Sequence, residues 1–336
     1  MNERKRRSVT ITLTEACNLD CTYCYENHKS QKRISMDTVK EIILKEMTED
    51  NGFTEVEFDL FGGEPFLEFE LIKEIEEYFH HIVSDKHYVI FASTNGTLVH
   101  GEIKKWLLNH LDVFVCGLSY DGTNQMQNIN RSNSASHIDL DFFAKYYPTQ
   151  EVKMTIFPES LPSLLHNELM KLTDYYISHP EIVPCRMLDQ DIRNVGALYG
   201  KNQYIRYCGA KIGTVAYHLD GTQYPCQFFM PLSVGEEKAK EALSLKFYNE
   251  SIPQELIEEK CLKCVAHPIC PTCFGANFAA TGDMYRHDDN YCELTKIIIR
   301  ARSYFKAMQW QKGQLKLDDN ELVHLLNSIK IIQSEL

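Results

Sequence analysis

The sequence predicts an α/β protein in which repeated strand–helix units are followed by a cysteine-rich region and C-terminal helices. Two observations support this prediction. Short apolar or β-branched runs alternate with segments of helical periodicity through the first two-thirds of the chain, a pattern typical of β/α units that form a parallel sheet or barrel. Ten of the twelve cysteines also fall into two groups, three before residue 25 and seven after residue 200.

The predicted elements of the first part alternate between strand and helix. They are strands at 8–13, 56–61, 88–93, 113–119 and 152–157, and helices at 36–47, 67–82, 102–110 and 139–147. In parallel sheets the functional groups gather at the C-terminal ends of the strands. Three polar, glycine-containing clusters follow such strands, at 62–65, 94–97 and 119–122. We therefore expect one edge of the sheet to carry the active site.

The pattern changes after residue 200. Two short strands, 214–218 and 222–227, flank Asp220-Gly221, a dipeptide typical of a tight hairpin. A cysteine-dense stretch at 261–278 has little periodicity and is followed by predicted helices at 292–311 and 320–332. We predict three consecutive parts, at 1–200, 201–300 and 301–336.

The composition is that of a folded, acidic protein. The chain has 336 residues, of which 44% are hydrophobic and 24% charged, and its net charge is −12, which excludes a disordered or collagenous chain. The acidic balance argues against a nucleic-acid partner, because such a partner needs a broad basic face. No apolar run approaches the ~18–20 residues of a membrane helix, and the N-terminus does not resemble a signal peptide. We expect a cytoplasmic protein without a nucleic-acid or membrane partner.

Cys17, Cys21 and Cys24 place three thiols on one tight loop directly after the first strand. Clustered cysteines in a cytosolic chain more often bind metal than form disulfides. Three thiolates leave one iron of a four-iron cluster without a protein ligand, and that iron can bind a small molecule. The alternative is a zinc site completed by His28, for which the spacing is only partly suitable.

The run at 16–25, Ala-Cys-Asn-Leu-Asp-Cys-Thr-Tyr-Cys-Tyr, resembles the signature of radical S-adenosylmethionine (SAM) enzymes. The resemblance implies a partial (β/α)6 barrel of TIM type in residues 1–200. It further implies that the three cysteines hold a 4Fe-4S cluster and that SAM chelates the open iron. Cleavage of SAM would then yield a 5′-deoxyadenosyl radical that abstracts a hydrogen atom.

The three strand-end clusters are similar, in the same order, to the SAM-binding elements of this family. By this resemblance the first cluster binds the SAM amino group, the second flanks the ribose, and the third, with an arginine, contacts the ribose and the SAM carboxylate. The residues assigned to SAM are Tyr23, Gly62, Gly63, Glu64, Pro65, Asn95, Ser119, Asp121 and Arg131. Each element alone is equally compatible with an ordinary turn. Glu26, Asp59 and Tyr120 are near the predicted site and could transfer protons.

The seven later cysteines resemble a SPASM domain, which binds two auxiliary iron–sulfur clusters in enzymes that modify peptides and proteins. The resemblance assigns three of them to a first auxiliary cluster and four to a second. The first set is Cys208, Cys226 and Cys273; the second is Cys261, Cys264, Cys270 and Cys292. The first set lacks an obvious fourth cysteine, so its fourth ligand is open, Cys185, another side chain or a substrate thiolate. The alternative for the cysteines at 261, 264, 270 and 273 is a single zinc ion.

Both parts together resemble SPASM-containing radical SAM enzymes over roughly residues 8–300, and most of these enzymes act on polypeptides. We expect post-translational modification of a ribosomally synthesised peptide, by formation of a thioether, C–C or C–O cross-link. The alternatives are formylglycine-generating sulfatase maturation, peptide epimerisation, and a non-enzymatic electron-transfer or zinc-binding regulatory protein. Gln227 disfavours sulfatase maturation, because those enzymes carry an acidic base directly after the cysteine that corresponds to Cys226.

Two cysteines remain outside these sets. Epimerisation needs a hydrogen donor, for which Cys185 is the spare-thiol candidate, whereas Cys116 is expected in the core. The resemblance also implies a peptide or protein substrate and a reductant such as flavodoxin or ferredoxin. The first cluster cysteine at position 17 leaves no room before it for a leader-binding domain. A leader would therefore bind a separate protein or the surface between the two parts, and the basic run 4–7 could contact an acidic leader.

Overall fold

The chain folds as two units that interleave along the sequence. The computed structural model describes residues 5–155, 161–198, 208–248 and 252–336. The first unit comprises Met1–Ile156 and Gly209–Lys246, and the second comprises Phe157–Cys208 and Phe247–Leu336. The two units are defined by which residues contact one another in space. The division into domains at 1–200, 201–300 and 301–336 stays a prediction.

One six-stranded sheet, of order β4-β3-β2-β1-β5-β6, forms the first unit's core. Its strands are β1 (Arg6–Thr14), β2 (Glu55–Gly62), β3 (His87–Thr94), β4 (Phe114–Leu118), β5 (Thr214–Tyr217) and β6 (Gln223–Tyr224). The pairs β1–β2, β2–β3, β3–β4 and β1–β5 are parallel, and β5–β6 is antiparallel. Within the described residues the sheet does not close on itself. The predicted α/β fold with a partial barrel is confirmed.

The helices are described in chain order. They are α1 (Met36–Thr48), α2 (Phe69–Phe79), α3 (Gly101–Asn109), α4 (Asn124–Asn130), α5 (Leu140–Tyr146), α6 (Leu161–Ser178), α7 (Arg193–Leu198), α8 (Pro231–Val234), α9 (Glu236–Leu243), α10 (Glu259–Leu262), α11 (Phe274–Thr281), α12 (Asp289–Gln311) and α13 (Asp319–Glu335). Helices α6, α7 and α10 to α13 belong to the second unit. Among the described residues, no helix is both long and apolar enough to cross a bilayer.

Most predicted elements correspond to observed ones, and the exceptions are instructive. The predicted strands before residue 120 are β1 to β4, and the predicted helices before residue 150 are α1, α2, α3 and α5. The predicted strand at 152–157 contributes, as far as residue 155, one parallel bridge between Lys153 and Ser119; positions 156 and 157 lie outside the described residues. Helices α4 and α6 to α11 are additional to the prediction.

The two faces of the sheet differ in chemistry. Alternate residues of β1 and β2, such as Val9, Ile11 and Phe58, are fully buried in the apolar core beneath the helices. Because successive strand residues point to opposite faces, the residues between them line the other, inner face. Polar members of that inner face are Thr10, Thr12, Glu57, Asp59 and Ser93. The inner face is thus suited to polar chemistry rather than to packing.

The second unit has an apolar core of its own. Ile299 of α12 and Leu325 of α13 pack there with Val195 of α7. Helices α7 and α13 approach closely at Gly196, where a Cβ atom would lie 2.5 Å from the backbone oxygen of His324. A glycine is therefore required at this crossing.

Candidate functional site

The three N-terminal cysteines lie on the loop that follows β1, at the C-terminal edge of the parallel strands. The loop folds back on itself: Cys24 N donates to Cys21 O at 3.1 Å, and Leu19 N donates to Cys17 Sγ at 3.4 Å. Burial raises the pKa of Cys17 to about 11 and also raises that of Cys21. Smaller contributions come from the neighbouring thiols themselves, which shows that the three groups lie close together.

The spread of these thiols suits a cluster better than a single ion. Among the described residues, one group of three potential ligands has its atoms within 4.8 Å of one another, and that group lies elsewhere. His28, the predicted fourth zinc ligand, lies beside Gly235 and donates its backbone N–H to Leu232 O at 3.2 Å. A four-iron cluster separates its cysteine ligands across several metal ions. The three-cysteine loop therefore fits a 4Fe-4S cluster.

Gly62 and Gly63 run directly against the cysteine loop. A Cβ atom on Gly62 would lie 2.1 Å from Thr14 O, and one on Gly63 would lie 2.2 Å from Ala16 O. Gly62 also has a φ of 139°, which side chains rarely adopt. These glycines bring the end of β2 against the backbone of the cysteine loop, and their predicted approach to SAM stays a prediction.

Glu64 joins the second strand end to the third. Its side chain is 1% exposed and accepts hydrogen bonds from Thr94 Oγ1 at 2.8 Å, Asn95 N at 2.8 Å and Phe66 N at 3.2 Å. Burial raises its pKa to about 7, although these hydrogen bonds oppose the shift. A carboxylate has about four lone-pair sites, so one acceptor position remains for the predicted SAM ammonium. Pro65, also buried, begins the short turn that follows.

Asn95 connects the end of β3 to the cysteine loop. Its side-chain amide donates to Asn18 Oδ1 at 2.9 Å, and Asn18 in turn donates to Thr97 Oγ1 at 2.8 Å. Thr97 N closes the network by donating to Asn95 Oδ1 at 2.9 Å. The polar side chains of the third strand end thus hold the loop between its first two cysteines.

Asp121, after β4, organises the opposite side of the same loop. Its fully buried carboxylate accepts hydrogen bonds from the Tyr23 hydroxyl, from Thr155 N at 3.1 Å and from Asn130 Nδ2 at 3.3 Å. Arg131 Nε lies 3.2 Å from Asp121 Oδ2, an ion pair without the angle of a hydrogen bond. The guanidinium also lies over the Tyr23 ring, 5.4 Å from its centroid.

Ser119 completes the edge, with its backbone N–H donating to Thr94 O at 2.9 Å. The structure therefore brings the SAM candidates together around the cysteine loop. They are Tyr23, Gly62, Gly63, Glu64, Pro65, Asn95, Ser119, Asp121 and Arg131. Their contacts in the structure are to one another and to the loop, and their individual contacts to SAM stay predictions.

Two interior carboxyl groups have an oxygen without a hydrogen-bond partner. These are Glu26 Oε1, on the cysteine loop, and Asp59 Oδ1, on the inner face of β2. Burial raises the pKa of Glu26 to about 8 and that of Asp59 to about 7, and the charge of Lys153 opposes both shifts. Tyr120, the third predicted proton carrier, instead donates its hydroxyl to Asn124.

Four cysteines of the second unit line one cavity of about 370 Å³. They are Cys261, Cys264, Cys270 and Cys292, the set predicted for the second auxiliary cluster. Burial raises the pKa of both Cys261 and Cys270 to about 12. Cys273 is not among the lining residues, so the alternative zinc set does not match this cavity. The four thiols suit an iron–sulfur cluster with complete cysteine ligation.

The first auxiliary set is divided between the units. Cys273 begins α11, where its Sγ accepts from Ala276 N at 3.5 Å. Burial raises its pKa, and a smaller contribution from Cys208 indicates that these two thiols of the second unit are neighbours. Cys226 is buried in the first unit, just before a short helical turn. Its assignment to the same cluster stays a prediction.

The two remaining cysteines lie in different environments. Cys116 on β4 is fully buried in the sheet core, which confirms the packing role expected from the sequence. Cys185 is half-buried in the second unit, close enough to Tyr176 and Arg302 to affect their pKa values. Its predicted roles as hydrogen donor or cluster ligand stay predictions. No disulfide joins any of the twelve cysteines, all of which are described.

Comparisons with known proteins bear on the cysteine loop and then on the whole chain. A family model described as "4Fe-4S single cluster domain" matches residues 6–137, which span the cysteine loop after β1 and the ends of β2, β3 and β4. The cysteine-type anaerobic sulfatase-maturating enzyme of Clostridium perfringens is 24% identical over 327 residues, covering 76% of this chain and 85% of that enzyme. Along most of its length, this chain is similar to radical SAM enzymes of the SPASM type. The similarity supports SAM and a 4Fe-4S cluster as its cofactors.

Other relatives match shorter segments of the chain. An uncharacterized protein of Methanocaldococcus jannaschii is 34% identical over 116 residues, which is 34% of this chain and 39% of that protein. The S-adenosylmethionine-dependent nucleotide dehydratase of Psychrobacter lutiphocae is 28% identical over 138 residues, 38% of this chain and 44% of that enzyme. The solved structure of native anSMEcpe with bound AdoMet and Kp18Cys peptide matches with a TM-score of 0.62 at 20% identity, covering 92% of this chain and 100% of that one. This likeness shows a shared fold.

The pair Glu258 and His287 was missed by sequence reasoning. Together with Cys261 they form the group of ligand atoms within 4.8 Å mentioned above. Their sequence positions, three residues before Cys261 and five before Cys292, carry no familiar ligand spacing. Only the folded chain brings them together.

Proposed function

We propose that this radical SAM enzyme modifies a ribosomally synthesised peptide by forming an oxidative cross-link, and that the later cysteines hold two auxiliary iron–sulfur clusters. The observation that carries the proposal is the presence in one chain of a three-cysteine loop and a four-cysteine cavity. SAM and the first cluster supply a 5′-deoxyadenosyl radical that takes a hydrogen atom. Closing a cross-link also removes one electron and one proton from the peptide, so an additional cluster is suited to take that electron. Epimerisation returns a hydrogen atom and needs no such acceptor.

The interior of the first unit offers groups for the proton. Asp59 and Glu26 each have a carboxyl oxygen without a partner, and burial brings their pKa values to about 7 and about 8. A general base works best when its pKa lies near the working pH. These values support Asp59 and Glu26 as proton acceptors for a substrate on the polar inner face of the sheet.

Sulfatase-type oxidation of a serine or cysteine side chain is supported about equally by similarity. The match to the clostridial sulfatase-maturating enzyme extends over 76% of this chain. Against it stands Gln227, because an amide cannot accept a proton at neutral pH. If this reaction occurs, its base must be another residue, for which Asp59 is the first candidate.

The decisive experiment uses anaerobically reconstituted enzyme with dithionite, SAM and two kinds of peptide. Small peptides encoded beside this gene test cross-linking, and a sulfatase-derived cysteine peptide tests the alternative. Loss of two hydrogens with a new bond between side chains supports the proposal. An aldehyde at the cysteine supports sulfatase-type maturation. Uptake of deuterium from deuterated solvent, in a peptide that has lost no hydrogen overall, supports epimerisation. If iron-loaded enzyme forms no 5′-deoxyadenosine with any peptide, the enzyme proposals are all contradicted.

The proposal also specifies partners. A peptide or protein is the substrate, a flavodoxin or ferredoxin supplies the electron, and a separate protein presents the leader. To identify the reductant, dithionite is replaced by flavodoxin or by ferredoxin, each with its reductase. To identify the leader-binding protein, the products of neighbouring genes are added one at a time. The rate of 5′-deoxyadenosine formation is measured in both experiments.

A further inference from the structure

A compact set of unlike ligands lies at one side of the four-cysteine cavity. Cys261 Sγ lies 3.3 Å from His287 Nδ1, and His287 Nδ1 lies 3.5 Å from Glu258 Oε2. The three ligand atoms all lie within 4.8 Å of one another, which no other such group among the described residues does. Cys261 and His287 are 7% and 8% exposed, whereas Glu258 is half-buried.

These separations match the edges of a tetrahedral metal site. Bonds of about 2.3 Å to sulfur, 2.0–2.1 Å to nitrogen and 2.0–2.2 Å to oxygen place neighbouring ligands about 3.4–3.6 Å apart. The sulfur–nitrogen and nitrogen–oxygen distances are 3.3 and 3.5 Å. One thiolate, one imidazole and one carboxylate form a donor set that suits Zn²⁺, Fe²⁺ or Co²⁺. Calcium and magnesium, which prefer oxygen ligands, are excluded.

The backbone holds these ligands in place before any metal arrives. Glu258 precedes the first turn of α10, which carries Cys261, and Glu258 Oε2 accepts from His287 N at 2.7 Å. Lys260 Nζ lies 3.5 Å from the same carboxylate oxygen and donates to His287 O at 3.2 Å. Its ammonium also binds Asp289 at 2.6 Å, so it can leave Glu258 without losing every partner.

We propose that Glu258, Cys261 and His287 bind one divalent transition-metal ion when the cavity holds no cluster, with the fourth position open to the cavity. Cys261 is also assigned to the second auxiliary cluster, and one thiolate cannot serve both groups in these positions. A bound ion and a cluster therefore exclude each other in this cavity. Zn²⁺ at this site blocks loading of the cavity with iron and leaves the N-terminal cysteine loop unaffected.

The first test is titration of the metal-free, reduced chain with Co²⁺, followed by displacement with Zn²⁺. The expected Co²⁺ spectrum is that of a tetrahedral ion with one thiolate bond. His287→Ala and Glu258→Gln should each weaken binding at this site by more than about 10-fold. Cys264→Ala is the matched control, since it lines the same cavity without belonging to the set, and should leave affinity and spectrum unchanged. Circular dichroism and melting curves of the metal-free variants check that each is folded.

The outcomes separate this site from a four-cysteine zinc site. If Cys264→Ala abolishes Co²⁺ binding in the cavity and His287→Ala does not, the proposal is overturned. An intense charge-transfer absorption, which indicates several thiolate ligands on the Co²⁺ ion, would overturn it as well. The second test adds Zn²⁺ before iron and sulfide. Zinc should lower the iron loaded by the wild-type chain but not by Glu258→Gln. Equal iron loading with and without zinc in the wild-type chain would refute the exclusion.

Discussion

The two best-defined groups of metal-binding cysteines are held by different kinds of structure. In the first unit, polar side chains from three strand ends hold the loop of Cys17, Cys21 and Cys24, through Glu64, Asn95 and Asp121. In the second unit, the cavity cysteines lie on helix starts and backbone turns: Cys264 N donates to Cys261 O at 3.1 Å and Cys270 N donates to His267 O at 3.2 Å.

Because of this difference, we expect different substitutions to disrupt the two groups of cysteines. A loop held by buried side-chain hydrogen bonds is sensitive to single polar substitutions, because each one leaves partners unsatisfied. A cavity bounded by helices depends instead on the packing of those helices. The two tryptophans, Trp106 on α3 and Trp310 on α12, allow the units to be followed separately by fluorescence.

The largest expected effect comes from removing either group of thiols. Replacement of Cys17, Cys21 and Cys24 by alanine should abolish 5′-deoxyadenosine formation, while the second unit retains its iron. Replacement of Cys264 and Cys270 should remove iron from the cavity and leave SAM cleavage in place. Iron analysis, Mössbauer spectra and chromatography of 5′-deoxyadenosine measure both. Loss of SAM cleavage in the second variant, with its first cluster intact, would show that the groups are not independent.

A large stability effect is expected from Glu46, which is fully buried on α1. Its carboxylate accepts from Arg7 Nε at 2.7 Å and from the Tyr217 hydroxyl at 2.5 Å. Glu46→Ala removes the only carboxylate that the described residues place against the buried Arg7 guanidinium, which keeps a hydrogen bond to Ile212 O at 2.6 Å, and should cost about 3–5 kcal/mol of unfolding free energy. Urea denaturation of a Trp310→Phe background reports this through Trp106. Glu41→Ala, exposed on the same helix, should change stability little.

Asp59 should make the stability of the first unit depend on pH. Its pKa is raised from 3.8 to about 7 in the folded chain, chiefly by burial, so between these values the folded state binds more protons than the unfolded state. The contribution of Asp59 to stability therefore falls as pH rises from about 4 to 7, by at most about 4 kcal/mol, and is constant above that; the raised pKa values of Glu26 and Glu64 add declines of their own. Asp59→Asn should flatten this fall in metal-free chain.

Glu57→Gln provides the matched control for Asp59. Glu57 is the preceding acid on the same face of β2, but it is ion-paired with Arg6 at 2.9 Å and partly exposed. Its substitution should leave the decline between pH 4 and 7 in place. If both variants give the wild-type curve, Asp59 does not carry the raised pKa.

The sequence was a good guide where one periodicity dominated. Strands β1 to β4 are short runs rich in apolar or β-branched residues, and polar clusters that contain glycine follow β2, β3 and β4, so both their ranges and the polar edge could be predicted. Of the strand expected at 152–157, the described residues form a single parallel bridge, from Lys153 to Ser119, because few of their backbone groups pair with a neighbouring strand. Helix α6 could have been predicted, since its buried Leu165, Leu169 and Thr173 recur every four residues. In α11, packing of Phe274 and Phe278 outweighs weak helix propensity.

The sequence named candidate ligands for the site but not the groups that hold those ligands in place. The resemblance to a SPASM domain identified the four thiols that line the cavity of the second unit, whereas spacing alone also allowed a set with Cys273 in place of Cys292. The contacts of Glu64 with Thr94 and Asn95 and the approach of His287 to Cys261 join residues at least 26 positions apart. The unpaired oxygens of Glu26 and Asp59 depend on burial. No local pattern encodes such meetings.

The smallest of these effects tests the packing of the second unit. Gly196→Ala places a Cβ atom 2.5 Å from His324 O and 2.9 Å from Ser328 N, both backbone atoms of α13. Alanine favours a helix over glycine by up to about 1 kcal/mol, but backbone atoms cannot move aside as a side chain can, so we expect a net loss of about 1–3 kcal/mol. Trp310 fluorescence in a Trp106→Phe background measures it. Gly213→Ala, where the added Cβ meets nothing within 4 Å, is the control in the first unit.

Because α13 and α12 share the core that borders the cavity cysteines, Gly196→Ala should also lower the iron held there while 5′-deoxyadenosine formation persists. An unchanged Trp310 transition would mean that helix packing does not hold the second unit together at this crossing.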